Sequence, residues 1–147
     1  MNTFFDTSVL VPVFYGDHQH HQSSLALFIA AHPATACCGA HSLAEVYSTL
    51  TGMPGKYRVT ADQAMLFLGT IQERLGIVAL DAEEYAAALA SWSRLGIVGG
   101  NIYDALLASC ALKSRAATIY SWNLRHYSRL GLDVDRRLTS PDAPPRP

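Results

Sequence analysis

The sequence contains little charge and few cysteines. Of its 147 residues, 50% are hydrophobic and only 16% are charged, which suits a single domain with a sizeable core. The three cysteines include the adjacent pair Cys37 and Cys38 and form no Cys-x-x-Cys spacing, so we expect buried thiols rather than a zinc site. No apolar run is long enough to span a bilayer, and the start of the chain lacks a signal-peptide pattern. We therefore expect a cytoplasmic protein that has no membrane contact.

Several catalytic motifs are also absent. The chain has neither the G-x-S-x-G turn of the α/β-hydrolases nor a phosphate-binding P-loop, although composition alone leaves a Ser–His–Asp triad open. The segment "DTS" at 6–8 is not the D-x-D of phosphotransferases that use an aspartyl nucleophile, which argues against that class. The segment "HQHH" at 18–21 has no acidic partners at ligand spacing, so we interpret it as a surface segment.

Charge is distributed unevenly along the chain. Residues 113–147 carry seven basic and three acidic side chains, whereas residues 1–112 carry four basic and nine acidic ones. Such a molecule could bind a polyanion with one end. Charge alone favours the simpler interpretation, a solvated surface.

Short apolar runs alternate with longer amphipathic segments. Strands are predicted at 2–5, 34–39, 77–80 and 117–122, and helices at 7–14, 18–32, 42–53, 60–76, 81–96, 101–115 and 124–131. This alternation predicts an α/β fold with a parallel sheet and helices on both faces. We assign it to one domain, residues 1–140, followed by a Pro-rich tail, residues 141–147, which we expect to be disordered.

Four polar residues stand near the starts of predicted helices. Asp6 and Asn123 follow predicted strands, and Glu45 and Asp104 fall in the first helical turns after "ATACCG" and "GGNIY". Each residue taken singly is better explained as a helix cap than as part of a site. Ser42 with Glu45 matches a capping box, and Asn101 with Asp104 is a looser version of it.

The four residues taken together suggest a metal site. The carboxyl ends of parallel strands lie at one edge of a sheet, which is where ligands bind in such folds. Carboxylates brought together there repel one another unless a cation is present. Oxygen ligands without cysteine or histidine suit Mg²⁺ or Mn²⁺, which can activate water and stabilise charge that develops at phosphorus.

Four segments resemble the signatures of PIN-domain proteins, in order and in spacing. They are "FFDTSVLV", "SLAEVYSTLT", "GGNIYDALLASCA" and "IYSWNLRHYSRLG", and the likeness is greatest to the VapC-type toxins of bacterial toxin–antitoxin pairs. The resemblance implies a three-layer α/β/α fold and an Mg²⁺- or Mn²⁺-dependent endoribonuclease that cleaves RNA by metal-activated water. It further implies a cognate antitoxin protein and a homodimer.

The resemblance also assigns roles to individual residues. Asp6, Glu45 and Asp104 are the expected metal-binding acids, and the Ser8 hydroxyl matches the polar position of the first motif. Asn123 stands where many PIN domains have aspartate. It keeps a carbonyl acceptor but loses a charge.

Two basic residues after Asn123, Arg125 and His126, could meet RNA phosphates, although a solvated helix face is the simpler interpretation. The alternative function is a non-catalytic PIN-like module that binds RNA or protein. It rests on Asn123 and on the capping explanation of each acid.

Overall fold

The computed structural model describes residues 1–144, and its centre is a parallel sheet. Its five strands are Thr3–Phe5 (β1), Ala36–Gly39 (β2), Gly76–Val78 (β3), Thr118–Tyr120 (β4) and Leu138–Thr139 (β5). The strand order is β3-β2-β1-β4-β5, and all four pairings are parallel. The strand that carries Asp6 at its end is therefore central, with β2 on one side and β4 on the other.

Helices cover both faces of this sheet. Within residues 1–144 they are Thr7–Val13 (α1), His21–Ala30 (α2), Ala40–Thr51 (α3), Ala61–Arg74 (α4), Ala82–Arg94 (α5), Asn101–Lys113 (α6), Leu124–Ser128 (α7) and Leu132–Asp135 (α8), with a 3₁₀ turn at Gly55–Tyr57. The predicted three-layer α/β/α arrangement is confirmed. No helix of the described part is long and apolar enough to cross a bilayer.

The core is divided by the sheet into two layers. Neighbouring residues on a strand point to opposite faces, so Phe4 and Cys37 join the layer under α5 to α8, while Phe5 and Cys38 join the layer under α1 to α4. Both cysteines and Cys110 are buried and unbridged, as the sequence predicts.

Local sequence sets several helix starts. Thr60 and Asp81 cap α4 and α5, and each forms a complete capping box with the residue three positions on, Gln63 and Glu84. Asp6 caps α1, where its side chain accepts a hydrogen bond from the Ser8 N–H. These starts follow from the preference of short polar side chains for the free N–H groups of a first turn.

Two predicted capping boxes are wrong. Helix α3 begins at Ala40 behind Gly39, so Ser42 lies inside the first turn and Glu45 lies in the second. Helix α6 begins at Asn101 itself, behind Gly100. The capping explanation therefore does not apply to Glu45 or Asp104, which leaves both carboxylates free for other contacts.

The histidine-rich segment explains the late start of α2. His18 Nδ1 accepts a hydrogen bond from the His20 N–H at 3.0 Å, and His21 Nδ1 lies 2.7 Å from the Pro12 carbonyl oxygen. These local bonds hold a turn rather than a helix, so α2 begins only at His21. The segment therefore forms a hydrogen-bonded turn between α1 and α2.

The sequence did not indicate β5 or α8. Strand β5 has only two residues, and α8 only four, which is too short for a hydrophobic period to show. Beyond β5 the chain turns, with the Ala143 N–H on the Ser140 carbonyl at 3.1 Å. Residues 145–147 of the predicted disordered tail lie outside the described residues, so the tail stays a prediction.

We expect Gly39→Ala to destabilise the fold by about 1–3 kcal/mol through overpacking. A Cβ at Gly39 would lie 2.6 Å from Leu107 Cδ2 of α6, and Leu107 is itself buried. The matched control is Gly69→Ala inside α4, where a Cβ meets nothing within 4 Å. The free energy of unfolding of this control should rise by up to about 1 kcal/mol, because alanine favours the helix more than glycine does. Urea denaturation measures both, and equal stability of the two variants would contradict the packing argument.

Candidate active site

Asp6 lies at the centre of a buried hydrogen-bond network. It is 1% exposed and its Oδ2 accepts from the hydroxyls of Ser8 at 2.6 Å and Ser121 at 2.9 Å. Its Oδ1 accepts from the Tyr127 hydroxyl at 2.5 Å. Hydroxyl donors at these distances make strong, charge-assisted bonds, so the carboxylate is held in one orientation.

The sheet explains why these groups meet. Strands β1 and β4 are neighbours in register, Phe5 beside Tyr120, and the Asp6 N–H continues the ladder by donating to the Tyr120 carbonyl at 3.0 Å. Asp6 and Ser121 are therefore the next residues along two adjacent strands. Helix α7 then carries Tyr127 back over the same edge.

Tyr127 is a fully buried phenol that stays protonated. Burial raises its pKa well above the ordinary value, and the nearby charges of Asp6, Asp104 and Glu45 raise it further. A phenol in this state can only donate to Asp6. The positive end of its O–H dipole therefore faces that carboxylate.

Glu45 stands beside this network on α3. Its Oε1 accepts from the Thr7 hydroxyl at 3.1 Å and lies 3.9 Å from His41 Nε2. Burial raises the pKa of Glu45, as do the charges of Asp6 and Asp104, while the Thr7 hydrogen bond and His41 oppose the rise. The side chain remains 32% exposed, so it can still turn toward a ligand.

Asp104 approaches from the first turn of α6. Its Oδ2 lies 3.6 Å from His126 Nδ1. Burial raises the pKa of Asp104, the charge of Asp6 raises it further, and His126 opposes the rise. Beside it opens a cavity of about 100 Å³, lined by Ile97, Asn101, Asp104, His126, Arg129 and Leu130.

The three predicted acids thus lie at one edge of the sheet, where the charge of Asp6 raises the pKa of both Glu45 and Asp104. Their donor atoms are carboxylate oxygens, which suits a hard divalent cation. Among residues 1–144, however, no three His, Cys, Asp or Glu side chains are grouped as a set that could hold a metal ion. The Asp6 carboxylate faces its hydroxyl donors. The Glu45 carboxylate lies beside His41, and the Asp104 carboxylate lies beside His126. The donor chemistry fits a metal, and the two outer acids must turn inward to ligate one.

The other predicted residues take different places. The Ser8 hydroxyl is directed at Asp6 and accepts the Trp122 N–H at 2.9 Å, so it supports the carboxylate. Asn123 precedes α7 without a side-chain capping bond and is exposed, like Arg125. His126 is the basic residue that reaches the site, through Asp104. Contact of Ser8, Arg125 or His126 with substrate stays a prediction.

Sequence reasoning missed four polar residues of the site. Ser121 and Tyr127 donate to Asp6, Thr7 donates to Glu45, and the Ser42 hydroxyl lies 2.9 Å from the Thr7 hydroxyl. Ser121 could have been predicted in the same way as Asp6, because it directly follows a strand, β4. Tyr127 carries no such signal, since a tyrosine at helical spacing is equally typical of a core.

The chain is similar to several known proteins. A family model described as PIN domain matches residues 3–130. Ribonuclease VapC27 of Mycobacterium tuberculosis is 35% identical over 132 residues, 88% of this chain and 92% of that protein.

Solved structures also match the whole fold. The crystal structure of VapC20 of Mycobacterium tuberculosis, described as a sarcin-ricin loop cleaving toxin, has a TM-score of 0.67 at 16% identity and covers 83% of this chain and 90% of that chain. VapBC2 of Rickettsia felis, bound to a DNA fragment from its promoter, has a TM-score of 0.64 at 20% identity over 95% and 98% of the two chains. With a family model over residues 3–130 and a relative at 35% identity, this chain belongs to the PIN-domain family and is related to its VapC ribonucleases.

Proposed function

We propose that this chain is an Mg²⁺- or Mn²⁺-dependent endoribonuclease and the toxin of a toxin–antitoxin pair. The observation that carries the proposal is the buried Asp6 carboxylate, held by three hydroxyls, with the charges of Glu45 and Asp104 beside it. Such repulsion opposes folding unless a cation compensates it. A site of this kind is therefore better explained by a ligand than by stability.

Each acid has a part in the proposed reaction. Asp6 would be the fixed metal ligand, since Ser121 and Tyr127 hold its orientation, and Glu45 and Asp104 would be the other two acids that hold the ion. A bound Mg²⁺ or Mn²⁺ stabilises charge at the phosphorus and activates water. Asn123 lies at the rim, where its carbonyl can orient a water or a phosphate. His126 and Arg125 are placed to meet RNA phosphates.

The relatives support the substrate and the partner. VapC27 is named a ribonuclease, VapC20 is described as a toxin that cleaves the sarcin-ricin loop, and VapBC2 is described as bound to a DNA fragment from its promoter. By analogy we propose RNA as substrate and a cognate antitoxin as partner of this chain. The predicted homodimer and cytoplasmic location belong to the same proposal. The non-catalytic alternative is not favoured, since it leaves the ribonuclease relatives without explanation.

RNA cleavage under metal control tests this function. We expect the purified chain to cut a structured RNA at discrete sites in Mg²⁺ or Mn²⁺, to stop in excess EDTA and to resume when the ion is restored. Gel analysis of end-labelled RNA gives the result. Undiminished cleavage in EDTA would contradict the proposed metal dependence. Intact RNA in every metal-containing buffer would favour the non-catalytic alternative.

A further inference from the structure

Beside the carboxylates stands a pair of stacked aromatic rings with no assigned role. The rings of His41 and Tyr103 are nearly parallel, at 8° and with 5.1 Å between centroids. Tyr103 is 49% exposed. Its side chain makes no hydrogen bond to the described residues, so the stack on His41 is what orients the ring.

The pair is built from the same two helices that carry the outer acids. His41 lies one turn before Glu45 on α3, with its Nε2 3.9 Å from Glu45 Oε1. Tyr103 directly precedes Asp104 on α6. The aromatic pair therefore adjoins both outer acids, through His41 on α3 and Tyr103 on α6.

A second stacked pair shows what a purely structural stack looks like here. His20 and Trp122 lie 3.6 Å apart at 7°. Trp122 is also anchored by its Nε1–H on Ser24 Oγ at 2.9 Å and by its N–H on Ser8 Oγ at 2.9 Å. Among the described residues, Tyr103 has no such hydrogen-bond anchors. Its ring, 49% exposed, keeps surface that another planar group can contact.

We propose that the His41–Tyr103 pair is a stacking platform for one unpaired nucleobase of a single-stranded RNA next to the scissile phosphate. This inference rests on the proposed ribonuclease function. Single-stranded bases stack on exposed aromatic side chains irrespective of their sequence. The phenol ring of Tyr103 carries no charge, so an RNA base can contact it beside acids that repel the RNA phosphates. The platform would position the RNA strand, and the metal would compensate the negative charge of the acids and the phosphates.

Binding of a short RNA measures the platform apart from catalysis. The probe is a single-stranded RNA hexamer with one 2-aminopurine, titrated in EDTA at low salt so that no cleavage occurs. We expect stacking on Tyr103 to quench the 2-aminopurine fluorescence, and Tyr103→Ala to weaken binding by about 5- to 150-fold. Tyr103→Phe should retain binding and quenching, whereas Tyr103→Leu, which keeps apolar bulk without a ring, should lose both.

The control is Tyr57→Ala, which removes a tyrosine that is 39% exposed. Tyr57 lies in the 3₁₀ turn that follows the C-terminal end of α3, whereas His41 lies at the start of that helix. The control variant should bind like the unchanged chain. In Mg²⁺, Tyr103→Ala should raise KM more than it lowers kcat.

Equal affinity of Tyr103→Ala and the unchanged chain, or full quenching by Tyr103→Leu, would overturn the platform. Failure of the hexamer to bind the unchanged chain would overturn it as well. Tyr103-dependent binding in a chain that cleaves no RNA would keep the platform and reject the nuclease. Cleavage with a KM indifferent to Tyr103 would keep the nuclease and reject the platform.

Discussion

Asp6→Asn is expected to lower RNA cleavage by at least about 10²–10³-fold, the range seen when one preorganised electrostatic contact to a transition state is removed. The change keeps the shape of the side chain but removes its charge. Asp6 is the one acid of the three that is both buried and held by several hydroxyls. Glu45 and Asp104 would then lack the fixed ligand around which they assemble.

The matched control for this change is Asp17→Asn. Asp17 is exposed and carries no role in the proposed site, so its cleavage rate should equal that of the unchanged chain. Circular dichroism should show that both variants keep the α/β fold. Cleavage by Asp6→Asn within about threefold of the control would remove Asp6 from the site and with it the proposed mechanism, because a transition-state contact is worth far more.

Tyr127→Phe is the second large expected effect. It removes the only hydroxyl that donates to Asp6 Oδ1 among the described residues, at 2.5 Å, in a position with no exposed surface. Loss of a hydrogen bond to a buried charge costs about 1.5–3 kcal/mol of folding free energy. We also expect cleavage to fall about tenfold, since Asp6 Oδ1 then loses its hydrogen bond and positioning contributes to the rate.

Tyr120→Phe serves as the control for Tyr127→Phe. Tyr120 lies on β4 and packs its ring edge-on against Phe5 at 5.8 Å, so the same loss of an oxygen should change stability by less than about 0.5 kcal/mol. Urea denaturation and cleavage rates report on both variants. If Tyr127→Phe unfolds and cleaves like Tyr120→Phe, the Asp6 network does not depend on the phenol.

The fold was largely predictable because its signals are periodic and local. Short apolar runs alternating with amphipathic segments predict a parallel α/β sheet, and "NTFF" and "ATIYSW" correctly mark β1 and β4. Asp6 could then be placed at the edge of the sheet, because it directly follows its strand. Glu45 and Asp104 taken singly fitted capping boxes. Their joint occurrence with Asp6 and Asn123 suggested a metal site, and the PIN resemblance assigned both as metal-binding acids.

What the sequence could not supply depends on tertiary contacts. Ser42 looks like a cap but lies inside α3, since backbone geometry at Gly39 starts the helix earlier. Tyr127 binds a carboxylate 121 residues away, and no spacing rule connects residues so distant. The contact of Asp104 with His126 likewise follows from the packing of α6 against α7, whereas His41 and Glu45 meet because they are four residues apart on α3.

Titration of Mn²⁺ into the metal-free chain tests the central claim most directly, since that claim is a divalent-cation site made by Asp6, Glu45 and Asp104. Calorimetry should show binding to the unchanged chain and to Asp17→Asn. It should show none to Asp6→Asn at the same concentrations. Thermal unfolding should agree, with stabilisation of about 2.7 kcal/mol at a hundredfold excess over Kd in the binding chains only. Equal Mn²⁺ affinity of Asp6→Asn and Asp17→Asn would contradict the claim.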